Sequence, residues 1–350
     1  MAAAVRLAVV GAGLIGRRHA AAIATAPGAA LACIVDPSEA GTAVARDHGV
    51  PYYPSLEAML AAGGVDGVIL ATPNAMHEGG ALACIAAGLP VLVEKPIATD
   101  AAAGRRIVEA GEAAGVAVAV GHHRRHNPII KTAKKAIDNG DIGDLVTAVV
   151  NSTLTKPSDY FVAWRIAQGT GGPLLINMIH EIDLLRHMFG EVESVQAMTS
   201  NAKRGFQVED TAACVLQFKR SGMATMSVSD AACGPWAWDV SAGENLKRFP
   251  AHDVFVHAYA GTRAGLSLPD LAFWKHPGTP DWTVKMDKSN LTYEESDCYI
   301  NQMLHFGDLI RGKAEPLVSC RDGVANMEVV EAIKLSANTG RRVLLSEFSV

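Results

Sequence analysis

The first third of the chain repeats one rhythm: a short apolar run, a break at glycine or a polar residue, then a helical stretch rich in alanine. Residues 7–10, 31–35, 68–71, 91–93 and 116–120 are apolar runs too short and too tightly bounded for helices, and they predict buried strands. Between them, the stretch after Gly16 to about Thr25 and residues 38–48, 55–61, 75–87 and 99–114 carry helical spacing. Ser38, Ser55 and Thr99 or Asp100 stand at N-cap positions, and Gly49, Gly63 and Gly88 follow the helix ends. Strands alternating with helices predict βαβ units and a doubly wound parallel sheet. Ligands of such sheets gather beyond the carboxyl ends of the strands, here Gly11, Asp36, Thr72, Glu94 and Gly121.

The alternation stops after residue 123. A helix is predicted over 127–139, then a strand-rich half with strands at 145–153, 194–200, 211–219 and 223–229. A glycine turn at 169–172 leads through Pro173 into a helix reaching 188. Residues 235–288 predict only short strands and turns, and helices return at 292–311 and 322–339. The expected organisation is a dinucleotide-binding domain over 1–123 and an α+β domain with an open, largely antiparallel sheet over 124–350.

A length of 350 residues accommodates two cores, and 49% hydrophobic with 19% charged residues is an ordinary globular balance. A net charge of −5 gives no electrostatic reason to expect nucleic acid or an anionic membrane as partner. The six cysteines are scattered, without a CxxC, which suits reduced thiols in a cytoplasm. No apolar run reaches the length of a membrane span.

Chemistry enters at Gly11-Ala12-Gly13-Leu14-Ile15-Gly16, between a predicted strand and a predicted helix. In a dinucleotide fold the first glycine makes the tight turn, the second admits a pyrophosphate, and the third packs helix on strand. Asp36 closes the next strand at the spacing this fingerprint requires. Its carboxylate accepts from ribose hydroxyls and repels a 2′-phosphate, and no Arg or Lys follows it directly, so NAD is expected over NADP.

Three further clusters stand out. Lys95, between Glu94 and Pro96, reads either as a cation held at the cofactor edge or as a solvated lysine. Asn177, His180 and Asp183 are spaced to share one face of a helix. His180 reads as a base taking a hydroxyl proton or as a hydrogen-bonded structural histidine. The basic turn His122-His123-Arg124-Arg125-His126 suits a cofactor amide, a phosphate or an anionic substrate. Its HHxxH spacing is not a metal signature, and His180-Glu181 meets leucine at 184 where HExxH needs histidine, so no metal site is expected. Trp164, Arg165 and Tyr299 are candidates for lining a polyhydroxylated ring, or simply packing residues.

In order, GAGLIG, ATPNAMH, EKP, GHHRRHNP, Trp164-Arg165, GGPLLINMIHEIDLL and the late Tyr299 helix resemble the glucose–fructose oxidoreductase, inositol dehydrogenase and rhizopine-catabolism (Gfo/Idh/MocA) family over nearly the whole chain. The resemblance implies Lys95 as active-site lysine and His180 as catalytic histidine, with Asn177 beside it where many members carry aspartate. It implies a cofactor set of Gly11, Ala12, Gly13, Leu14, Ile15, Gly16, Asp36, Ala71, Thr72, Pro73, Asn74, His77, Glu94, Lys95, His123, Arg124, Trp164 and Arg165. Substrate contacts are expected from Lys95, His122, Arg124, Arg165, Asn177, His180 and Tyr299.

The expected activity is NAD-dependent hydride transfer at a secondary alcohol of a sugar, cyclitol or related ring, in a homodimer or homotetramer joined through the C-terminal sheet. Arg124, Arg125, Lys156 and Arg165 raise the option of an acidic substrate. A glycoside hydrolase acting by transient oxidation with retained NAD, and a non-catalytic NAD(H) sensor, are the alternatives.

Overall fold

A computed structural model describes residues 3–348, so the outermost positions of both expected domains, 1–2 and 349–350, lie outside the described residues. The chain forms two compact units. The first joins the stretch through His126 to Ser296–Met327, and the second joins Asn127–Glu295 to the stretch from Glu328 onward.

In the first unit β1 (Val5–Val10), β2 (Ala29–Val35), β3 (Tyr52–Tyr53), β4 (Gly67–Leu70), β5 (Val91–Val93) and β6 (Val118–Val120) form one parallel sheet in the order β3-β2-β1-β4-β5-β6. This is the strand order of a dinucleotide-binding doubly wound fold. The strands are buried along most of their length, as expected for runs of Val, Ile and Leu covered on both faces. The connecting helices are α1 (Leu14–Thr25), α2 (Glu39–His48), α3 (Leu56–Ala62), α4 (His77–Ala86) and α5 (Ala101–Ala114). Asp100 caps α5 by accepting from Ala103 N at 2.8 Å, and Gly49 ends α2 in the left-handed region. Residues 74–76 form a 3₁₀ turn ahead of α4, and the last predicted strand is three residues long rather than five.

The second unit opens with α6 (Pro128–Asp138). Nine strands follow: β7 (Leu145–Thr153), β8 (Val192–Ser200), β9 (Thr211–Phe218), β10 (Met223–Ser229), β11 (His257–Gly261), β12 (Ala264–Leu268), β13 (Ala272–Lys275), β14 (Asp287–Asn290) and β15 (Val343–Leu344). Their order is β14-β13-β12-β11-β7-β10-β9-β8-β15, and every neighbouring pair is antiparallel except β7 with β10. One face is buried through Ala148, Val150, Leu216, Ala224 and Met226. The other shows Val149 and Val215, each in register with Thr225 between them. Two helices sit between β7 and β8: the short α7 (Ala163–Ile166) and α8 (Ile179–Phe189).

The structure departs from the expected division after residue 295. Helix α9 (Cys298–Ile310) belongs to the first unit, because Tyr299, Met303 and Phe306 pack into one core with Leu7, Ile34 and Ile69. Its start is later than the predicted 292, at the point where Asp297 Oδ1 accepts from Tyr299 N (2.8 Å) and Ile300 N (3.2 Å). Helix α10 (Cys320–Thr339) begins in the first unit and ends in the second. Two-residue strands such as β3 and β15 carry no pattern of their own and arise only from pairing.

Candidate active site

In the first unit the glycines act through space, not flexibility alone. Gly11 has φ +99°, and a Cβ there would lie 2.5 Å from the Ala71 carbonyl oxygen. A Cβ on Gly16 would overlap the Gly11 carbonyl, so α1 can approach β1 this closely only without one. Gly13 is different: its Cβ would meet nothing within 4 Å. It opens the start of α1, where no side chain caps the helix and the first turn holds no acid. The positive helix end is therefore uncapped by any side chain of its own first turn, which suits it to seating a pyrophosphate. Thr72 adds a buried Oγ1 with no hydrogen-bond partner among the described residues.

Asp36 ends β2 as predicted and is braced. Ala12 N donates to its Oδ2 at 2.7 Å, and Ser38 N donates to Oδ1 at 2.9 Å. Burial acts to raise its pKa, but the Ser38 hydroxyl, these two N–H groups and Arg17 outweigh it and hold the carboxyl below its ordinary value. Arg17 was missed by reading only the residues after Asp36: it sits on α1, with Nε 3.0 Å from Ala12 O. These features fit a dinucleotide, with the glycine turn and α1 for the phosphates and Asp36 for a ribose.

At the end of β5, Glu94 is 5% exposed and points inward. His19 Nε2 lies 2.7 Å from its Oε1, and Lys95 N donates to its Oε2 at 3.2 Å. A Cβ on Gly121 would stand 2.8 Å from the Glu94 carboxyl carbon, which explains glycine at the neighbouring strand end. Burial pushes the Glu94 carboxyl up, yet the His19 hydrogen bond and the pull of His19, Lys95 and His123 bring it down to about 2. Lys95 is half-buried beside this fixed anion. Tyr299 joins the same cluster from α9. His123 stacks on it at 4.5 Å, His19 meets its edge at 5.3 Å, and Arg18 covers it at 4.9 Å while holding Asp297 at 2.5 Å. Sequence named Tyr299 and His123 but not His19, whose partner is 75 residues away.

Other predicted residues of this unit are used by the protein itself. Both ring nitrogens of His77 face backbone carbonyls, Nδ1 to Pro96 O at 2.7 Å and Nε2 to Thr72 O at 2.9 Å, so the ring ties two strand ends together. Burial lowers its pKa against those two contacts. Asn326 Nδ2 donates to His122 Nε2 at 3.1 Å inside the unit. Arg125 donates to Leu317 O at 3.0 Å and reaches Asp322 at 3.3 Å. Its charge is thereby matched within the fold. Arg124 and His123 are buried in the same 3₁₀ turn, and Ala71, Thr72, Pro73 and Asn74 line the end of β4.

In the second unit His180 is the second residue of α8 and 5% exposed, with Asp183 buried one turn on. Asn177 precedes it in a π turn (Leu174–Met178) whose i→i+5 bonding makes a wider turn than the helix predicted there, so the simple i, i+3, i+6 face is altered. Glu209 Oε1 accepts from Leu174 N at 3.0 Å and anchors the start of this segment. Lys156 Nζ donates to Asn177 Oδ1 at 2.5 Å. Trp164 and Arg165 sit on α7, with the Arg165 guanidinium 3.9 Å from the Tyr160 ring centroid and 5.0 Å from that of Trp164.

Sequence also missed a buried chain beginning next to His180. Glu181 Oε2 lies 2.8 Å from His257 Nε2, and His257 Nδ1 lies 2.7 Å from the Tyr259 hydroxyl. Burial, helped by Glu181, keeps Tyr259 protonated. The consistent assignment has Tyr259 donating to Nδ1 and Nε2–H donating to Glu181. The chain ties α8 to β11.

Comparison with known proteins places the chain in a family. An oxidoreductase-family model described as an NAD-binding Rossmann fold (GFO_IDH_MocA) matches residues 5–122, and its C-terminal α/β domain model matches 134–345. The chain is 26% identical over 347 residues to a 1,5-anhydro-D-fructose reductase of Ensifer adhaerens, covering 96% of this chain and 97% of that protein. It is 26% identical over 359 residues to a scyllo-inositol 2-dehydrogenase (NAD(+)) of Bacillus subtilis, covering 97% and 96%. Among solved structures, the WlbA dehydrogenase of Bordetella pertussis in complex with NADH and UDP-GlcNAcA is similar, with TM-score 0.79, 27% identity and coverage of 97% and 98%.

The Glu94 pair predicts a pH dependence with a definite sign. A carboxyl lowered from 4.5 to about 2 stabilises the fold fully above about pH 4.5 and loses that contribution as pH falls toward 2. Denaturant unfolding between pH 3 and 7, in roughly one-unit steps, is expected to show a steeper acid loss in the native protein than in Glu94→Gln. Parallel curves would contradict the assignment.

Proposed function

Because the chain belongs to the Gfo/Idh/MocA oxidoreductase family, we propose that it is an NAD-dependent dehydrogenase moving a hydride between nicotinamide and a secondary alcohol or ketone of a sugar, cyclitol or related hydroxylated ring. The observation that carries this reading is the open start of α1, whose first turn holds no acidic residue, beside an Asp36 fixed at the end of β2. Asp36 favours an unphosphorylated ribose, hence NAD over NADP. The relatives support the substrate class by name, as a reductase of an anhydro sugar and a dehydrogenase of an inositol.

When bound, NAD supplies the hydride acceptor. The chain's own residues then handle position and charge. His180, as neutral imidazole, takes the hydroxyl proton as the carbon–hydrogen bond breaks, and returns it in the reverse direction. Lys95 steadies the developing charge on the same oxygen by its ammonium, not as a covalent nucleophile. Glu94, kept ionised with the help of His19, places a fixed anion beside that lysine. Asn177 hydrogen-bonds substrate but takes no proton.

We further propose assembly into a dimer or tetramer through the outer face of the nine-stranded sheet, where Val149 (44% exposed) and Val215 (41%) flank Thr225. A cytoplasmic setting accords with six free cysteines, five of them buried. No helix among the described residues is long and apolar enough to cross a membrane.

Offered NAD or NADP with a panel of polyols, sugars and cyclitols, the protein is expected to form NADH with NAD preferred. Lys95→Ala and His180→Ala are each expected to lower kcat about 10²- to 10⁴-fold while NADH binding, followed by fluorescence, changes little. Full activity in either variant would contradict the assigned roles. NAD turnover that leaves no NADH but cleaves a glycosidic bond would favour the hydrolase reading. Charging the sheet with Val149→Glu and Val215→Glu is expected to lower the mass seen by light scattering to that of a single 36.8 kDa chain. An unchanged mass would place the interface elsewhere.

A further inference from the structure

One lysine in the second unit determines what Asn177 offers to a substrate, an inference that rests on the dehydrogenase reading and narrows its substrate class. Lys156 follows β7 and starts from a fixed point. Its N–H donates to Asp230 O at 2.9 Å, and its carbonyl accepts from Arg204 Nη2 at 3.0 Å. The residue is 7% exposed. Its ammonium lies 2.5 Å from Asn177 Oδ1, 3.4 Å from the Tyr160 hydroxyl, and 4.5 Å from the centroid of the Tyr160 ring.

An ammonium carries only donors, whereas a carboxamide carries an acceptor oxygen and a donor nitrogen on one carbon. Only the oxygen of Asn177 can face Lys156, since the flipped amide would press NH₂ against NH₃⁺. The orientation is thus set by chemistry as well as by position. Nδ2 is turned to the far side of the amide, Asn177 is partly exposed, and this nitrogen has no hydrogen-bond partner among the described residues. The π turn holds it three residues before His180.

The surroundings add positive charge. Arg165 packs on the same Tyr160 ring at 3.9 Å and donates from Nη1 to Tyr160 O at 2.5 Å, while its buried Nε has no partner among the described residues. Asp230, whose carboxyl also feels Lys156, is already held by Arg204 Nε at 2.8 Å. An aspartate at 177 would show an acceptor and favour hydroxyl donors. The asparagine shows a donor, polarised from behind by a buried cation.

We propose that Lys156 locks Asn177 as a hydrogen-bond donor toward the substrate and that this pair selects a ring bearing a carboxylate over the same ring bearing a hydroxymethyl group. Lys156 is a positioning residue and Asn177 the one that touches substrate.

The test is competition between matched probes, D-glucuronate against D-glucose and D-galacturonate against D-galactose, titrated into the NADH-loaded protein by calorimetry. At least one uronate is expected to bind about tenfold or more tightly than its aldose. Asn177→Asp, nearly isosteric and able to pair with Lys156, is expected to cancel or invert that ratio with the melting temperature held or raised. Lys156→Met is expected to shrink it. Equal binding of acid and aldose in both pairs, or a ratio unmoved in Asn177→Asp, overturns the proposal. The dehydrogenase reading fails separately, by absence of NAD reduction with every ring offered. Turnover without a carboxylate preference sinks only the present inference.

Discussion

Everything at the cofactor edge of the first unit depends on how closely three backbone segments approach at Gly11, Gly16 and Ala71. With a Cβ at Gly11 or Gly16, a carbonyl would have to move and α1 would back away from β1. That close packing leaves the start of α1 open and brings Ala12 N within 2.7 Å of Asp36. The glycine turn therefore both leaves the start of α1 open and fixes the Asp36 carboxylate, the two features on which the proposed dinucleotide contacts rest. The remaining strand ends, at Thr72, Glu94 and Gly121, are carried to the same edge by the parallel ladder.

In each unit one buried carboxylate is partnered by a histidine. Glu94 stands with His19 beside Lys95, and Glu181 stands with His257 beside His180. In both cases the carboxylate immediately neighbours in sequence the residue assigned to the chemistry. A buried anion is tolerable only when hydrogen-bonded, and removing its partner is strongly destabilising. These pairs consequently restrict the backbone that carries Lys95 and His180, linking stability of the fold to placement of the two residues proposed to act on substrate.

What could be read from the sequence divides along the range of the interactions. The glycine turn, Asp36, the helix caps at Ser55 and Asp100 and the strand–helix alternation are local, and each was legible from spacing and residue type. The pairings that complete the site are not local. His19 meets Glu94 across 75 residues, Glu181 meets His257 across 76, and Tyr299 reaches His123 only because α9 packs into the first unit. His77 and His122 match the motif in type, but both ring nitrogens of His77 and Nε2 of His122 are engaged within the fold. The π turn at Asn177 escaped periodicity because one widened turn leaves no repeat to detect. Lys156 was visible as a cation, but its bearing on Asn177 required the distance.

The central claim is that this chain moves a hydride directly from a substrate carbon to nicotinamide. Its most direct test follows deuterium: the best alcohol substrate of the panel, labelled at the carbinol carbon, is incubated with the protein and NAD, and the reduced cofactor is analysed by NMR. The account predicts deuterium at nicotinamide C4 in stoichiometric amount, on one face, with a slowed turnover if hydride transfer limits the rate. Label lost to solvent, or product formed with no labelled cofactor at any time, would contradict it.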